Sequence, residues 1–194
     1  MEVNTILEIV AVVFGFAYLI LLMAEKKLCW LFGIVGSLIS IYLFYSTKLY
    51  SEAILYIYYV LVGIYGYWVW NKAEETNEKL PITDIKWLSI GGILLLGSAL
   101  SWGLGYILDT YTDAESAYLD AHTTIFSFIA SYLEARKILS GWLFWIVING
   151  VTIYLYLSKD LDIYSVLTLV YFIASFIGYY VWRKQFVGYT VEQS

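Results

Sequence analysis

Seven long apolar stretches follow one another along this 194-residue chain, separated by short polar breaks. A bilayer core about 30 Å thick needs roughly 20 apolar residues per helix. Backbone groups in lipid must be satisfied within the segment, which restricts such stretches to helices. The expected spans are Thr5–Met23, Leu28–Tyr45, Tyr50–Trp70, Lys86–Leu108, Tyr118–Tyr132, Gly141–Leu157 and Ile163–Trp182. Composition agrees: 61% of residues are hydrophobic and 14% charged, against about 25% charged in soluble domains. One soluble core of this size cannot hide that excess, so lipid must face much of it. The expected fold class is an all-α integral membrane protein of seven transmembrane helices. The single proline, Pro81, lies in the Asn71–Ile85 loop, so no span should carry a proline kink.

Basic residues orient the spans. Lys26, Lys27, Lys72, Lys79, Lys86, Arg136, Lys137, Arg183 and Lys184 fall on one side of the membrane, and only Lys48 and Lys159 on the other, of 11 in all. The positive-inside rule then puts the N-terminus outside and the C-terminus in the cytoplasm. The loop after the fourth span carries Asp109, Asp113 and Glu115 and no base, as an external solvated loop should. A bacterial cytoplasmic (inner) membrane is the expected location. The N-terminus has Glu2 in place of a basic region, so no cleavable signal peptide is expected.

Several chemistries lack their residues. One cysteine, Cys29, and one histidine, His122, leave no Cys/His metal cluster and no disulfide. No Gly-Lys phosphate loop is present. Neither an enzyme, a cofactor, a metal nor a nucleic-acid partner is expected. An ion channel or ion-coupled transporter is the rival class, but coupling needs ionisable groups deep in the membrane, and the acids here sit near span ends.

The chain also repeats itself. Trp30-Leu-Phe-Gly-Ile-Val matches Trp142-Leu-Phe-Trp-Ile-Val, an offset of 112 (30 to 142). Without a gap, Ile41-Tyr42-Leu43 meets Ile153-Tyr154-Leu155, Tyr59 meets Tyr171, Gly66-Tyr67 meets Gly178-Tyr179, and Trp70 meets Trp182. More than a third of the aligned positions between 28 and 70 are identical, beyond what shared hydrophobicity supplies. The expected organisation is 3+1+3: residues 1–72 form the first three-helix repeat, 73–112 a cytoplasmic loop and inverting helix four, and 113–194 the second repeat. Two parallel repeats imply a substrate site at their interface near midplane.

Polar residues recur on helical faces. The sixth span has Trp142, Trp145, Asn149, Thr152 and Tyr156; the fifth has Asp120, Thr124, Ser127 and Ser131; the third has Glu52, Tyr56, Tyr59, Gly63 and Gly66; the seventh has Tyr164, Thr168, Tyr171, Ser175 and Gly178. Side chains at this spacing share one face, and polar groups facing lipid cost several kcal/mol each. These faces should therefore point inward. Asn149 is the hardest to read as mere packing, because an amide at mid-span needs a partner. Other residues have plainer readings. Trp30, Trp70, Trp142 and Trp182 sit near span ends, where tryptophan forms interfacial belts. Gly63 and Gly66 allow close helix packing. Asp120 and its repeat mate Glu8 lie where helix caps lie. His122 reads as a hydrogen-bonded packing residue.

The architecture looks like that of the SWEET sugar transporters, without the proline-glutamine signature of the related PQ-loop proteins. The residues resemble the PnuC family of nicotinamide riboside transporters more closely. The resemblance rests on Trp142-x-x-Trp145-x-x-x-Asn149, Tyr154-Leu-Tyr156-x-x-Lys159 and Gly178-Tyr179-x-x-Trp182. In the first half it rests on Cys29-Trp30-x-Phe32-Gly33-Ile34, Leu49-Tyr50-x-Glu52-Ala53 and Ile64-Tyr65-Gly66-Tyr67-Trp68-x-Trp70, with Leu119-Asp120-Ala121-x-Thr123-Thr124 and Ser127-Phe128 between. It implies facilitated diffusion of a cationic vitamin precursor, nicotinamide riboside first and thiamine second, followed by cytoplasmic trapping. It also implies a homotrimer in the lipid bilayer. One departure is Tyr56, where the family often places a glutamine facing substrate. A fixed positive ring would sit against aromatic faces, with its polar tail on side-chain amides and hydroxyls. The ligand contacts expected are Trp145, Asn149, Tyr56, Tyr59, Asp120, Thr124, Ser127, Trp142 and Tyr171.

Overall fold

The computed structural model describes residues 2–46, 50–76, 80–112, 116–158 and 162–192. Lys48, Leu49, Lys79, Asp113, Glu115 and Lys159, singled out above, lie outside the described residues. So do the side chains of Tyr50, Glu52, Tyr156 and Tyr164. Among the described residues there are seven helices: α1 (Glu2–Met23), α2 (Leu28–Ser46), α3 (Tyr50–Glu75), α4 (Trp87–Tyr111), α5 (Ala117–Ala135), α6 (Ser140–Ser158) and α7 (Asp162–Glu192). Each covers one expected span. The largest difference is at α7, which continues ten residues beyond Trp182. Five helices are long and apolar enough to cross a membrane: α1, α2, α3, α4 and α7. In α6 the apolar run among the described side chains is Ser140–Leu155.

Helix α5 departs from the pattern for a physical reason. It carries Asp120, His122 and Glu134 among hydroxyl residues, which lowers its hydropathy. It also packs against both α4 and α6, and Ser127, Ser131 and Glu134 are buried there. The polar atoms of these three residues are thus covered by protein. Elsewhere the helices present apolar side chains outward, among them Leu61, Leu95, Trp102, Val147 and Val166. A surface of that kind is stable only against lipid or another apolar face.

The chain divides into two compact units, Met1–Leu80 and Pro81–Ser194. In the first, α2 packs on α1 and on α3. The α1–α2 turn is tight. Its residue Glu25 takes a positive φ of 54°, the left-handed cap conformation that usually falls to glycine. Two bonds hold it there: the Glu25 amide donates to Leu22 O at 3.0 Å, and the Lys26 amide to Leu21 O at 2.9 Å. These satisfy carbonyls that the helix end would otherwise leave open. The next residue ties the turn to the end of α3. Lys27 Nζ donates to Asn71 Oδ1 at 2.8 Å and lies 2.6 Å from Glu74 Oε2. The Glu74 carboxylate raises the Lys27 pKa above its ordinary value.

In the second unit α5, α6 and α7 are packed in chain order, and α4 lies against α5. The α5–α6 turn is built like the α1–α2 turn. Lys137, 112 residues after Glu25, has φ 52°, and the Lys137 and Ile138 amides donate to Glu134 O and Leu133 O, both at 2.9 Å. Here a different strap holds the turn. The Thr83 amide donates to Lys137 O at 3.0 Å and Thr83 O accepts from the Leu139 amide at 2.8 Å, a single parallel bridge. Asp84 Oδ1 then accepts from the Ser140 amide at 3.1 Å and from the Ser140 hydroxyl. A carboxylate at the start of α6 satisfies an open helix N–H and complements the helix dipole.

The tryptophans expected in interfacial belts are packed inside the protein. Trp30, Trp70, Trp142 and Trp182 are at most 3% exposed. Trp30 and Trp70 meet edge to face at 5.6 Å, and Trp142 and Trp182 do so at 5.5 Å. Each first member lies flat against a glycine: a Cβ on Gly66 would sit 2.4 Å from Trp30 Cε2, and one on Gly178 2.4 Å from Trp142 Cζ3. The belt expectation is therefore corrected. These indoles fill the space that missing side chains leave, and burying 150–250 Å² each makes them core residues. The expectation that Gly66 permits close packing holds, with an indole ring as the packing partner.

Candidate functional site

Helix α6 presents Trp142, Trp145 and Asn149 at helical spacing, and the three have different surroundings. Trp142 is sealed against Gly178 and Trp182. Trp145 is partly exposed and packs against the cluster of Ala130, Leu133, Phe144 and Ile148. Its indole Nε1 is buried and has no hydrogen-bond partner among the described residues. Trp30 and Trp142 Nε1 share this state, and an indole N–H buried without an acceptor costs free energy.

Asn149 is 9% exposed and is tied to α7. Its Nδ2 donates to Ser175 Oγ at 3.1 Å, and Ser175 Oγ donates in turn to Tyr171 O at 2.8 Å. Both bonds use donors, so the hydroxyl proton of Ser175 goes to the backbone and its lone pair receives the amide. Asn149 Oδ1 accepts no hydrogen bond among the described residues. Ser175 is 3% exposed and Thr168, two turns earlier, 7%. Of the polar faces expected on α6 and α7, Asn149 meets Ser175 and Trp142 meets Gly178 inside the second unit.

The remaining candidates are placed as follows. Ser127 is buried on α5, and its carbonyl accepts from Ser131 Oγ at 2.8 Å. Thr124 is half-buried on the same helix. Asp120 is half-buried in the first turn of α5, where the helix dipole favours a carboxylate. No side-chain cap bond is made by Ser116, which occupies the cap position. Tyr56 and Tyr59 lie on α3 in the first unit, where Tyr56 packs on Phe44 at 5.3 Å and meets Tyr59 edge to face at 5.4 Å. His122 does what a packing residue does. Its Nδ1 lies 2.7 Å from Tyr118 O, which makes that nitrogen the protonated one, and the ring sits between Trp102 and Phe126.

Two features of the structure are not legible in the sequence. Ser175 lies on the expected polar face of α7, but nothing in the sequence shows that it holds the Asn149 amide. Asp84 capping α6 is also hidden, because 56 residues separate it from Ser140.

The model of the nicotinamide mononucleotide transporter family matches residues 5–184. The chain is 22% identical over 199 residues to the nicotinamide riboside transporter PnuC of Escherichia coli (strain K12), covering 89% of this chain and 81% of that protein. It is 28% identical over 160 residues to the protein of the same name from Neisseria mucosa, covering 76% and 58%. Its fold is similar to the crystal structure of the vitamin B3 transporter PnuC, with a TM-score of 0.76 and 24% identity over 93% of this chain and 81% of that one.

Proposed function

This chain belongs to the nicotinamide mononucleotide transporter family, and we propose that it carries nicotinamide riboside across a bacterial inner membrane by facilitated diffusion. The observation that carries the reading is the family match over residues 5–184, which takes in nearly all seven helices. The relatives named nicotinamide riboside transporter support the choice of cargo. The chemistry of α6 agrees with it. A pyridinium ring is attracted to an aromatic face, and Trp145 offers one. A carboxamide or ribose hydroxyl needs an acceptor, and Asn149 Oδ1 is one.

In this reading all seven helices cross the bilayer, with the polar residues of α5 shielded by its neighbours α4 and α6. The chain is two copies of one three-helix design, α1–α3 and α5–α7, facing the same way and joined by α4. The recurrence of the α1–α2 turn and of the Trp–Gly seat 112 residues later supports this. The excess of basic residues after α1, α3, α5 and α7 puts the C-terminus in the cytoplasm. The homotrimer rests on the resemblance alone.

The test is uptake into liposomes holding purified protein. Labelled nicotinamide riboside should enter down its gradient and stop at equal concentrations, and thiamine should compete poorly. Accumulation driven by an imposed proton or sodium gradient rejects uniport. No uptake of nicotinamide riboside alongside saturable uptake of thiamine rejects the cargo. For orientation, a cysteine at Asp109 should react with an impermeant thiol reagent added to whole cells, and one at Glu75 should not.

A further inference from the structure

We propose that Ser175 is a positioning residue that fixes the amide of Asn149 with its oxygen toward the ligand, and so makes the carrier prefer a pyridine carboxamide over the corresponding carboxylate. The inference rests on the reading of Asn149 as a ligand contact and adds what decides its polarity.

A free asparagine amide can present either end, since a half-turn about its last torsion exchanges oxygen for nitrogen. Here one end is committed. Ser175 Oγ has a single proton, and that proton is spent on Tyr171 O at 2.8 Å. The hydroxyl can then serve Asn149 only as an acceptor, so Nδ2 must point at it, 3.1 Å away. Burial sharpens the constraint, because Ser175 and Asn149 are 3% and 9% exposed and little water reaches either to replace the bond. What remains for a ligand is Oδ1, an acceptor only. Set against the substituent of the pyridine ring, it accepts the N–H of a carboxamide. A carboxylate has no proton to give at neutral pH and meets it oxygen to oxygen.

The first unit shows the arrangement without this device. At the positions of Asn149 and Ser175 it has Ser37 and Gly63. A Cβ on Gly63 would lie 2.8 Å from Ile34 Cγ1, so apolar packing occupies the place of the hydroxyl. The polar lock is a property of the second unit alone.

The experiment measures affinities of nicotinamide riboside and of its carboxylate analogue, nicotinic acid riboside, for purified protein, wild type and variants. The natural protein should prefer the carboxamide by about tenfold or more, the order expected when an unpaired acceptor faces a ligand without a donor. Ser175→Ala frees the amide to turn. It should weaken the carboxamide by about fivefold, one ordinary hydrogen bond, while leaving the carboxylate unchanged or tighter. Ser175→Thr keeps the hydroxyl and should restore the preference. Ser175→Gly, which copies the first unit, should behave as the alanine variant and guards against a packing artefact peculiar to one substitution. A merely structural serine would weaken both ligands alike and leave their ratio fixed, and that result overturns the proposal. Equal affinity for the two ligands in the natural protein overturns it too. If the natural protein binds neither, the cargo reading fails and takes this one with it. If it binds and the ratio does not move, only the role of Ser175 fails.

Discussion

The first and second three-helix sets share a frame and differ in what they place inside it. Shared are the left-handed turn residue, Glu25 in one and Lys137 in the other, the Trp30 and Trp142 indoles seated on Gly66 and Gly178, and the ring pairs Phe14–Phe32 and Phe126–Phe144 at 5.4 and 6.0 Å. Hydroxyls that bond back along their own helices recur as well, as Ser40 to Gly36 O and Thr152 to Ile148 O, both at 2.9 Å. Other positions differ between the two sets. In the first set a ring on α1, Tyr18, lies over Gly33 of α2. In the second the positions are reversed: small Ala130 is on α5 and the ring, Trp145, is on α6. Ser37 and Gly63 become Asn149 and Ser175. The residues the two sets share set how helices turn and cross, and Asn149 and Ser175, on the proposed reading, are where an asymmetric ligand would be read.

The seat of the tryptophan is where the comparison breaks hardest. Gly178→Val puts a branched side chain where even a Cβ comes within 2.4 Å of Trp142, and Gly66→Val does the same to Trp30. Both should be destabilised by about 3 kcal/mol or more, at or beyond the upper end of overpacking costs, seen as a fall in the thermal midpoint in detergent. Gly103→Ala is the control. Nothing lies within 4 Å of its Cβ position, and alanine in a helix is favoured over glycine by roughly 0.5–1 kcal/mol. If the valine variants unfold no earlier than the natural protein, the indole is not the wedge described here.

Asn149→Leu sharpens the comparison at the site. It should weaken nicotinamide riboside by roughly 1–3 kcal/mol, the cost of removing a buried partner, while Ser37→Ala at the matching place should cost less. Equal losses would mean that both sets read the ligand alike. Unchanged affinity for Asn149→Leu in folded protein would move the site elsewhere.

The exchanged ring and small residue make a coupled pair. Gly33→Ala brings a Cβ to 2.9 Å from Tyr18 Cδ2 and should destabilise, whereas Gly33→Ala in a Tyr18→Ala background should not. The coupling energy between them should fall in the range of about 0.5–3 kcal/mol found for residues in contact. Additivity would show that the ring gives way freely.

What the sequence disclosed and what it withheld divide along the same line. Hydrophobic length located all seven helices, and the gapless offset of 112 survived because Trp30, Gly66 and Trp70 each have a counterpart that the frame needs. The polar face of α6 was legible because Trp142, Trp145 and Asn149 keep helical spacing. The direction of the tryptophans was not legible. Their position near span ends matches a belt, and the cavity that takes Trp30 is made by Gly66, a full helix away in sequence. The turns were hidden for another reason: Glu25 and Lys137 take a backbone shape that sequence reserves for glycine, held by bonds between backbone groups. Nor could the orientation of the Asn149 amide be read, since it depends on where one serine proton goes.

The smallest effects belong to the ties that hold the two turns, which are unlike. Asp84→Ala removes the carboxylate at the start of α6 and should cost about 0.5–2 kcal/mol, as helix caps do. Lys27 in the first set has Leu139 as its counterpart, and Lys27→Leu should change the thermal midpoint little at neutral pH, because exposed ion pairs contribute little. Its signature lies in pH. The Glu74 carboxylate, followed by more distant groups, raises the Lys27 pKa above the ordinary 10.5. The folded state therefore holds this proton more tightly than the unfolded chain does. The stabilisation is complete below the unfolded value and is lost as pH rises through the folded one. Between neutral pH and about 10 the natural protein and Lys27→Leu should run parallel. Above the ordinary lysine value of 10.5 the natural protein should lose stability more steeply, until the two curves approach each other. The difference should shrink in high salt, which screens a surface pair. Curves that stay parallel through pH 11 would show that Lys27 and Glu74 do not meet in solution, and that the α1–α2 turn holds its shape through its backbone bonds alone.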